Sequence, residues 1–221
     1  MQICPDKINQ TKKGVDVKMT KSKYIKIDGQ TIYKIGNKKI GQDTLIFNMQ
    51  PAQKCICDKL GLCQFGQNGN GKCYALRNER QYPSVRKYRE RQMSYWQNHT
   101  TSEIINDLAV IFKQYPQIKY VRWNESGDIE LKDLIRIDNI AQQFPHITFY
   151  TYTHNKPLAL TFRNMELPDN LIINGSGFKW TNNYDSCDKY TDQHKLRCPG
   201  NCRNCKLCKT KHGQTIYEEV F

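Results

Sequence analysis

Apolar and polar residues alternate along the chain with two different periods, one typical of strands and one typical of helices. Residues 24–36 (YIKIDGQTIYKIG) alternate on both sides of Asp28 and Gly29, a dipeptide that suits the positive backbone angles of a tight hairpin turn. The run at 44–49 (TLIFNM) is almost wholly apolar and is followed by Pro51. It predicts a short buried strand directly after the hairpin.

The apolar positions of the next two segments recur with helical spacing. One helix is predicted over residues 83–99, with a broad apolar face, and a second over residues 101–114. Thr101 or Ser102 is available as the N-cap of the second helix. The apolar residues of the first helix are Val85, Tyr88, Met93 and Trp96.

Apolar strands then alternate with helical segments, which predicts a parallel sheet. Strands are expected at 118–124, 147–153 and 170–177, with a helix at 129–144 and a short helix or loop at 156–164. Strands separated by helices of about a dozen residues are typical of parallel βαβ units. Four such strands do not complete an eight-stranded barrel. The predicted fold class is therefore α/β, either a partial (β/α) barrel or an open, mostly parallel sheet.

Three segments of different composition follow from this pattern. Residues 1–43 are expected to be a basic N-terminal arm and β-hairpin, of which residues 1–20 lack periodicity and are expected to be poorly ordered. Residues 44–185 are the expected α/β core with a first cluster of cysteines. Residues 186–221 are the expected Cys-rich, metal-binding C-terminal tail.

Polar loops follow several of the predicted strands, at the edge of the sheet where parallel α/β folds collect their chemistry. These loops are NESGD at 124–128, YTHNK at 152–156 and NGSG at 174–177. The candidate catalytic residues are Asp128, Glu125, His154 and Lys156. The candidate cofactor-binding residues are Ser126, Gly127, Asp128 and Ser176.

Each of these residues also has a plainer interpretation. Asp128 suits the N-cap of the helix that follows it, because aspartate is a favoured cap. Glu125 and Lys156 are compatible with solvated surface charges, and His154 with a hydrogen-bonded surface imidazole. The glycines of these loops are compatible with tight turns alone.

Ten cysteines stand in a chain without the features of a secreted or membrane protein. No apolar run is long enough to cross a membrane, and the N-terminus lacks the apolar region of a signal peptide. We therefore expect a cytoplasmic protein with reduced thiols, in which clustered cysteines bind metal rather than form disulfides. The alternative is a set of buried, inert thiols. The candidate metal ligands are Cys55, Cys57, Cys63, Cys73, Cys187, Cys198, Cys202, Cys205 and Cys208.

The two cysteine clusters differ in spacing. The tail run CPGNCRNCKLC at 198–208 resembles the consecutive ligand runs of iron–sulfur clusters, whereas structural zinc sites usually take two separated pairs. An iron–sulfur cluster is favoured there and zinc is the alternative. In the first cluster, Cys55, Cys63 and Cys73 can hold a [4Fe–4S] cluster with one iron open. Cys57 or Cys187 can instead complete its ligation, so one or two clusters are expected.

The charge balance indicates a polyanionic partner. Lysine and arginine outnumber aspartate and glutamate by 34 to 21, a net charge of +13 that is richest in the N-terminal arm and the tail. Nucleic acid is the commonest partner of such a surface, although a basic surface that only aids solubility is the alternative. The candidate phosphate-binding residues are Arg77, Arg80, Arg86, Lys87, Arg89 and Arg91.

Several motifs together resemble a family of phage proteins. These are CYA with RNERQYPSVRKYRERQMSYW, then YVRWNESGDI, FPHITFYTYTHNK, KWTNN and the closing Cys-rich run. Over about residues 44–217 they are similar to the phage "gene product 88" family of mobile-element proteins. The resemblance implies a phage or plasmid protein in the cytoplasm of a bacterial host.

A second resemblance is looser. The CYA element is similar to one found in phage proteins related to radical S-adenosylmethionine enzymes. By this resemblance Ser126, Gly127 and Asp128 stand where those enzymes hold the methionine amino group, so S-adenosylmethionine becomes a candidate cofactor. The spacing of Cys198, Cys202 and Cys205 equals the CxxxCxxC pattern of those enzymes, but it lies at the far end of the chain. The cysteines after the first strand do not have that spacing.

Two function classes are compatible with these observations. The first is an iron–sulfur enzyme with a radical-S-adenosylmethionine-like partial barrel that acts on nucleic acid or a host factor. The second is a non-catalytic module, stabilised by zinc or an iron–sulfur cluster, that binds nucleic acid or a host protein.

Overall fold

The computed structural model describes residues 23–219, apart from residues 64 and 163. The expectation for residues 1–20 lies outside the described part. The strands are β1 (Tyr24–Ile27), β2 (Gln30–Ile35), β3 (Thr44–Phe47), β4 (Tyr120–Trp123), β5 (Thr148–Thr153), β6 (Leu171–Ser176), β7 (Asn182–Cys187), β8 (Leu196–Arg197) and β9 (Thr215–Glu219). The α-helices are α1 (Ile56–Lys59), α2 (Tyr74–Gln81), α3 (Pro83–Asn98), α4 (Thr101–Gln114), α5 (Leu131–Gln143) and α6 (Lys156–Thr161). Two short 3-10 helices lie at Ala52–Lys54 and Leu207–Lys209.

The N-terminal hairpin has the predicted turn. β1 and β2 pair antiparallel, and Asp28 and Gly29 have φ angles of 47° and 76°, as a two-residue turn with two positive φ angles requires. β2 also pairs antiparallel with β3. The hairpin therefore forms the antiparallel end of the sheet.

All strands belong to one sheet in the order β1-β2-β3-β4-β5-β6-β7-β9-β8. From β3 onward every neighbouring pair is parallel. The prediction of an α/β fold with an open, mostly parallel sheet is thus confirmed. Because β3 to β6 are adjacent in chain order, right-handed crossovers bring their helices to the same face of the sheet.

That helix-covered face carries the main hydrophobic core. Alternate strand residues pack against apolar residues of α3, α4 and α5 and are fully buried. The strand residues of this core include Phe47, Val121, Trp123, Phe149 and Ile173. The intervening residues point to the opposite face, which we call the inner face and define by Ile46, Tyr120, Arg122, Tyr150, Tyr152, Ile172 and Asn174.

The N-caps of two helices differ from the predictions. Thr100, one residue before the predicted candidates, is the N-cap of α4, and it forms a reciprocal capping box with Glu103. α5 begins at Leu131 with Glu130 as its N-cap and Asp133 as the reciprocal partner. The interpretation of Asp128 as the cap of this helix is therefore wrong, because Glu130 is the cap and Ile129 also precedes the helix.

Three strands were not predicted from the sequence patterns. β7 (NNYDSC), β8 and β9 contain few apolar residues and extend the parallel sheet beyond β6. β7 crosses the expected boundary between residues 185 and 186. One continuous sheet therefore includes strands from each of the three segments.

Candidate functional site

The loops after β3 and β4 leave the sheet together. Asn124 has a φ of 63°, and its backbone N–H donates to the carbonyl of Phe47 over 3.0 Å. Its side-chain Oδ1 accepts a hydrogen bond from the N–H of Met49 over 3.2 Å. Two adjacent loops are thereby fixed to each other where their strands end.

Ser126 and Gly127 form a packed junction with the loop after β3. The hydroxyl of Ser126 lies 3.4 Å from Glu79 Oε1, which also accepts the N–H of Ala52 over 2.7 Å. Gly127 has a φ of 86°, and a Cβ there would lie 2.8 Å from the backbone nitrogen of Gln50. Only glycine fits this close approach.

Asp128 joins the β4 loop to the end of β5. It is 2% exposed, and its Oδ1 accepts from the N–H of Ile129 over 2.7 Å and from the hydroxyl of Thr153 over 2.5 Å. Its Oδ2 accepts from the N–H of His154 over 2.8 Å, and the imidazole Nδ1 of His154 is 3.7 Å away. Both carboxylate oxygens are therefore engaged within the protein, which makes Asp128 a positioning residue for His154.

Glu79 and Arg89 form a buried ion pair beneath the same loops. Arg89 Nη1 lies 2.8 Å from Glu79 Oε1 and also donates to the carbonyl of Ala75 over 3.1 Å. The two side chains are 4% and 0% exposed. Arg89 was predicted to contact phosphates, but this burial and pairing withdraw it from that surface.

Cys55, Cys57, Cys63 and Cys73, which we call the edge group, lie in the loop after β3 as predicted. Burial raises the pKa of Cys55 to about 12, and the charge of Asp128 raises it further. Burial and Asp128 also raise the pKa of Cys57, whose thiol hydrogen-bonds to that carboxylate. Cys63 has its pKa raised by burial, with Cys73 contributing. The buried carboxylate thus favours the neutral thiol at the edge group.

Cys198, Cys202, Cys205 and Cys208, which we call the tail group, lie against the inner face. Burial raises the pKa of Cys208 to about 12, while a hydrogen bond from Tyr152 lowers it and the other three thiols of the group raise it. Burial raises the pKa of Cys202, and the cations Lys39 and Arg122 act in the opposite direction. The tail group therefore differs from the edge group in having cations beside it.

Two buried asparagines hold the tail on the inner face. Asn174 donates from Nδ2 to the carbonyl of Cys208 over 3.0 Å, and Asn182 donates to the carbonyl of Thr210 over 2.9 Å. Asn182 Nδ2 also lies 3.0 Å from Asn174 Oδ1. Because both side chains are fully buried, these bonds fix the path of the chain that follows Cys208.

Two cations and several tyrosines make up the middle of the inner face. Lys209 is 7% exposed, with its Nζ 4.1 Å from the ring centroid of Tyr120 and 5.8 Å from that of Tyr150. Burial lowers the pKa of Lys209. The guanidinium of Arg122 lies 5.3 Å from the ring centroid of Tyr152. These contacts give the inner face a cationic and aromatic character.

The sequence reasoning missed this pair of cations. Arg122 and Lys209 are far apart in the chain, and only the fold brings them to one surface. A signal for Arg122 existed, since it alternates with buried residues in the strand YVRW and points away from the apolar side. Lys209 had no comparable signal.

The other predicted site residues are spread along the carboxyl edge. Glu125 is half-buried and its Oε1 accepts from Asn37 Nδ2 over 3.4 Å, while Lys156 is exposed at the start of α6. Ser176 ends β6 opposite Tyr184 of β7. Cys187 ends β7 opposite Glu219, four strands from β3, so it lies apart from the loop of the edge group.

The basic residues of α2 and α3 form a separate surface. Arg77, Arg80, Arg86 and Lys87 are exposed. Arg86 pairs with Glu90 over 3.1 Å, and Arg91 lies 6.0 Å from the ring centroid of Tyr88. Five of the six predicted phosphate-binding residues are thus at least partly accessible.

Metal binding was tested against the geometry of the described residues. Within residues 23–219, leaving aside 64 and 163, no three histidine, cysteine, aspartate or glutamate side chains are arranged to hold a metal ion. In the same part of the chain no helix has the length and apolarity needed to span a membrane.

The fold and the site define an α/β protein whose helices cover one face of a mostly parallel sheet, with cysteines at its carboxyl edge and on its inner face. The chain belongs to the phage family Gene product 88, whose family model matches residues 11–198. The match includes the edge group and ends at Cys198, so three cysteines of the tail group lie beyond it. No curated protein and no solved structure gives a significant match.

Proposed function

We propose that this protein is a phage or mobile-element iron–sulfur enzyme built on its open α/β sheet, acting on nucleic acid or a host factor in the bacterial cytoplasm. One observation carries the proposal. The face of the sheet left free by the helices has thiols of the tail group beside Arg122, Lys209 and Tyr152, and the edge group lies where β3 ends. Parallel α/β enzymes collect their chemistry at that edge.

The donor chemistry supports an iron–sulfur cluster at the tail group. Four thiols within eleven residues supply sulfur-only ligation, and cations beside them offset the negative charge that thiolate ligands bring. Such a cluster would supply electron transfer when bound. Since the side chains are not arranged around an ion, ligation requires the thiols to turn toward a common centre. Zinc remains the alternative metal for the same donors.

The edge group is the proposed second centre, with Cys55, Cys63 and Cys73 as its ligands. Cys57 is left out because its thiol is fully buried and hydrogen-bonded to Asp128. Asp128 fixes the backbone N–H of His154, whose half-buried imidazole is then available to accept or donate a proton at this edge. S-adenosylmethionine is the proposed ligand here, although Ser126 and Asp128 already have partners in the protein.

Anaerobic purification with matched serine variants tests this proposal. We expect the wild-type protein to be brown, with a visible absorbance that Cys205→Ser diminishes and Cys63→Ser diminishes separately. Cys187→Ser is the matched control and should keep the full absorbance. Cys187 lies four strands from β3, and the charged groups that act on it are Glu219, Asp188, Asp185 and Arg197 rather than thiols of the tail group. A colourless wild-type protein that contains zinc would reject the iron–sulfur proposal.

A second candidate function is a non-catalytic module that binds nucleic acid or a host protein. It is favoured by the exposed basic residues Arg77, Arg80 and Lys87, which lie on two consecutive helices. For nucleic acid, log affinity should fall by about 0.7 to 0.9 per log unit of salt for each phosphate contacted, and Arg77→Gln with Arg80→Gln should reduce that slope. Lys132→Gln is the control, because Lys132 is an exposed lysine of α5, outside the basic surface of α2 and α3. Binding that does not change with salt would reject this function for the basic surface.

A further inference from the structure

Arg122 is a half-buried cation without a partner of opposite charge. None of the ion pairs found among the described residues includes it, and its Nε atom is buried without a hydrogen-bond partner there. The ring centroid of Tyr152 lies 5.3 Å from the guanidinium carbon, and this cation–π contact is not a hydrogen bond. A buried N–H donor without an acceptor is destabilising, because it loses its hydrogen bond to water and gains none in the protein. The hydrogen bonding of the Arg122 guanidinium is therefore incomplete within the described part of the protein.

The polar groups that interact with Arg122 form their hydrogen bonds with other residues. Glu125 is a carboxylate whose charge acts on Arg122, but its Oε1 accepts a hydrogen bond from Asn37 Nδ2. The hydroxyl of Tyr74 donates to the backbone carbonyl of Glu125, and the hydroxyl of Tyr152 is bonded to Cys208. These bonds leave the Nε edge of Arg122 without an acceptor from the protein.

The chemistry of that free edge specifies its ligand. Nε and the adjacent Nη of a guanidinium donate two parallel hydrogen bonds, which match two oxygens of a carboxylate or a phosphate. Tyr74, which interacts electrostatically with Arg122, is 50% exposed, and Arg122 is itself only partly buried. Both aromatic neighbours offer apolar surface to whatever carries the anion.

We propose that Arg122, beside Tyr152 on the inner face, binds an oxyanion, either the carboxylate or the phosphate of a small ligand. The site needs no metal, so it goes beyond the proposed iron–sulfur function and stands without it. Its neighbour Tyr152 is bonded to Cys208, so a ligand held there would lie beside the tail group.

Thermal unfolding with simple probes tests this site. The probes are acetate, which carries a carboxylate, inorganic phosphate, and adenosine 5′-monophosphate, which carries a nucleoside phosphate. Adenosine, which carries no anion, is the fourth probe. We expect a saturable rise in melting temperature with at least one of the three anions and none with adenosine. The anion that gives the largest rise identifies the carboxylate or the phosphate as the natural group.

Two substitutions and a control separate binding from stability. Arg122→Gln should weaken anion binding at least about tenfold, and Arg122→Lys should weaken it less, because lysine keeps the charge but lacks the two parallel donors. Lys132→Gln, which removes an exposed cation of α5, should bind like the wild-type protein. If Arg122→Gln does not fold, the comparison of Arg122→Lys with the wild-type protein decides. Absence of any anion-dependent shift in the wild-type protein, or equal shifts in the Arg122 variants, would overturn the proposal.

Discussion

The edge group and the tail group have the same number of cysteines and opposite electrostatic surroundings. The edge group is packed around a buried carboxylate, Asp128, which adds to the effect of burial in raising the pKa of Cys55 and Cys57. The tail group has Lys39 and Arg122 beside Cys202, and their charges oppose the effect of burial. Equal cysteine counts therefore do not imply equal chemistry.

The difference indicates which group is better suited to bind a metal through thiolates. A metal needs thiolates, and nearby cations stabilise thiolates whereas a nearby carboxylate destabilises them. The tail group meets this condition without rearrangement of its charged neighbours. At the edge group a bound cation would itself have to offset the charge of Asp128.

The largest effect is expected from Glu79→Ala, which should loosen the loop of the edge group and leave the tail group as it is. The substitution leaves Arg89 buried without its partner and removes the acceptor of the Ala52 N–H, so unfolding should become about 3–5 kcal/mol easier. Denaturant unfolding measures the loss, and alkylation of each cysteine should show faster labelling only in the edge group.

The matched control for Glu79→Ala is Glu90→Ala. Glu90 also pairs with an arginine of α3, but its pair with Arg86 is largely exposed and should change stability by less than about 1 kcal/mol. Similar losses for the two substitutions would show that the buried pair does not support the edge loop.

A smaller effect is expected from Asp128→Asn. The amide nitrogen of asparagine would face donors that now bond to a carboxylate oxygen, which should destabilise the fold by about 1–3 kcal/mol. If Asp128 were only a helix cap, the loss would be smaller, because asparagine caps helices nearly as well as aspartate. Loss of the charge should also lower the pKa of Cys55 and Cys57, so their alkylation at mildly alkaline pH should accelerate. Unchanged stability together with unchanged alkylation would remove Asp128 from this account.

The smallest of the three effects is expected from Lys209→Met. Methionine keeps much of the buried stem but removes the cation over Tyr120 and Tyr150, which should cost about 1–2 kcal/mol at most. Removing this charge should slow alkylation of the tail group and not of the edge group, the reverse of the Asp128→Asn pattern. Lys206→Met serves as the control, because Lys206 is the exposed N-cap of the 3-10 helix that ends at Lys209. Equal behaviour of the two variants would contradict the role of Lys209.

The sequence predicted the parts of this molecule that depend on local pattern. The Asp28-Gly29 turn and the buried strand of residues 44–47 follow directly from residue types and alternation. β7 could not be predicted in this way, because its polar residues are explained by partners distant in the chain, such as Thr210 for Asn182. The two cysteine clusters were visible in the sequence, but their charged surroundings depend on Asp128, Arg122 and Lys209, which only the tertiary fold brings to them.

The central claim is that the tail group is the better metal site, and one measurement tests it most directly. Iron, acid-labile sulfide and zinc are determined in anaerobically purified wild-type protein, Cys205→Ser and Cys63→Ser. The account predicts iron and sulfide in equal amounts in the wild-type protein, with a larger loss in Cys205→Ser than in Cys63→Ser. Metal content that Cys205→Ser leaves unchanged, or a wild-type protein without iron, would contradict it.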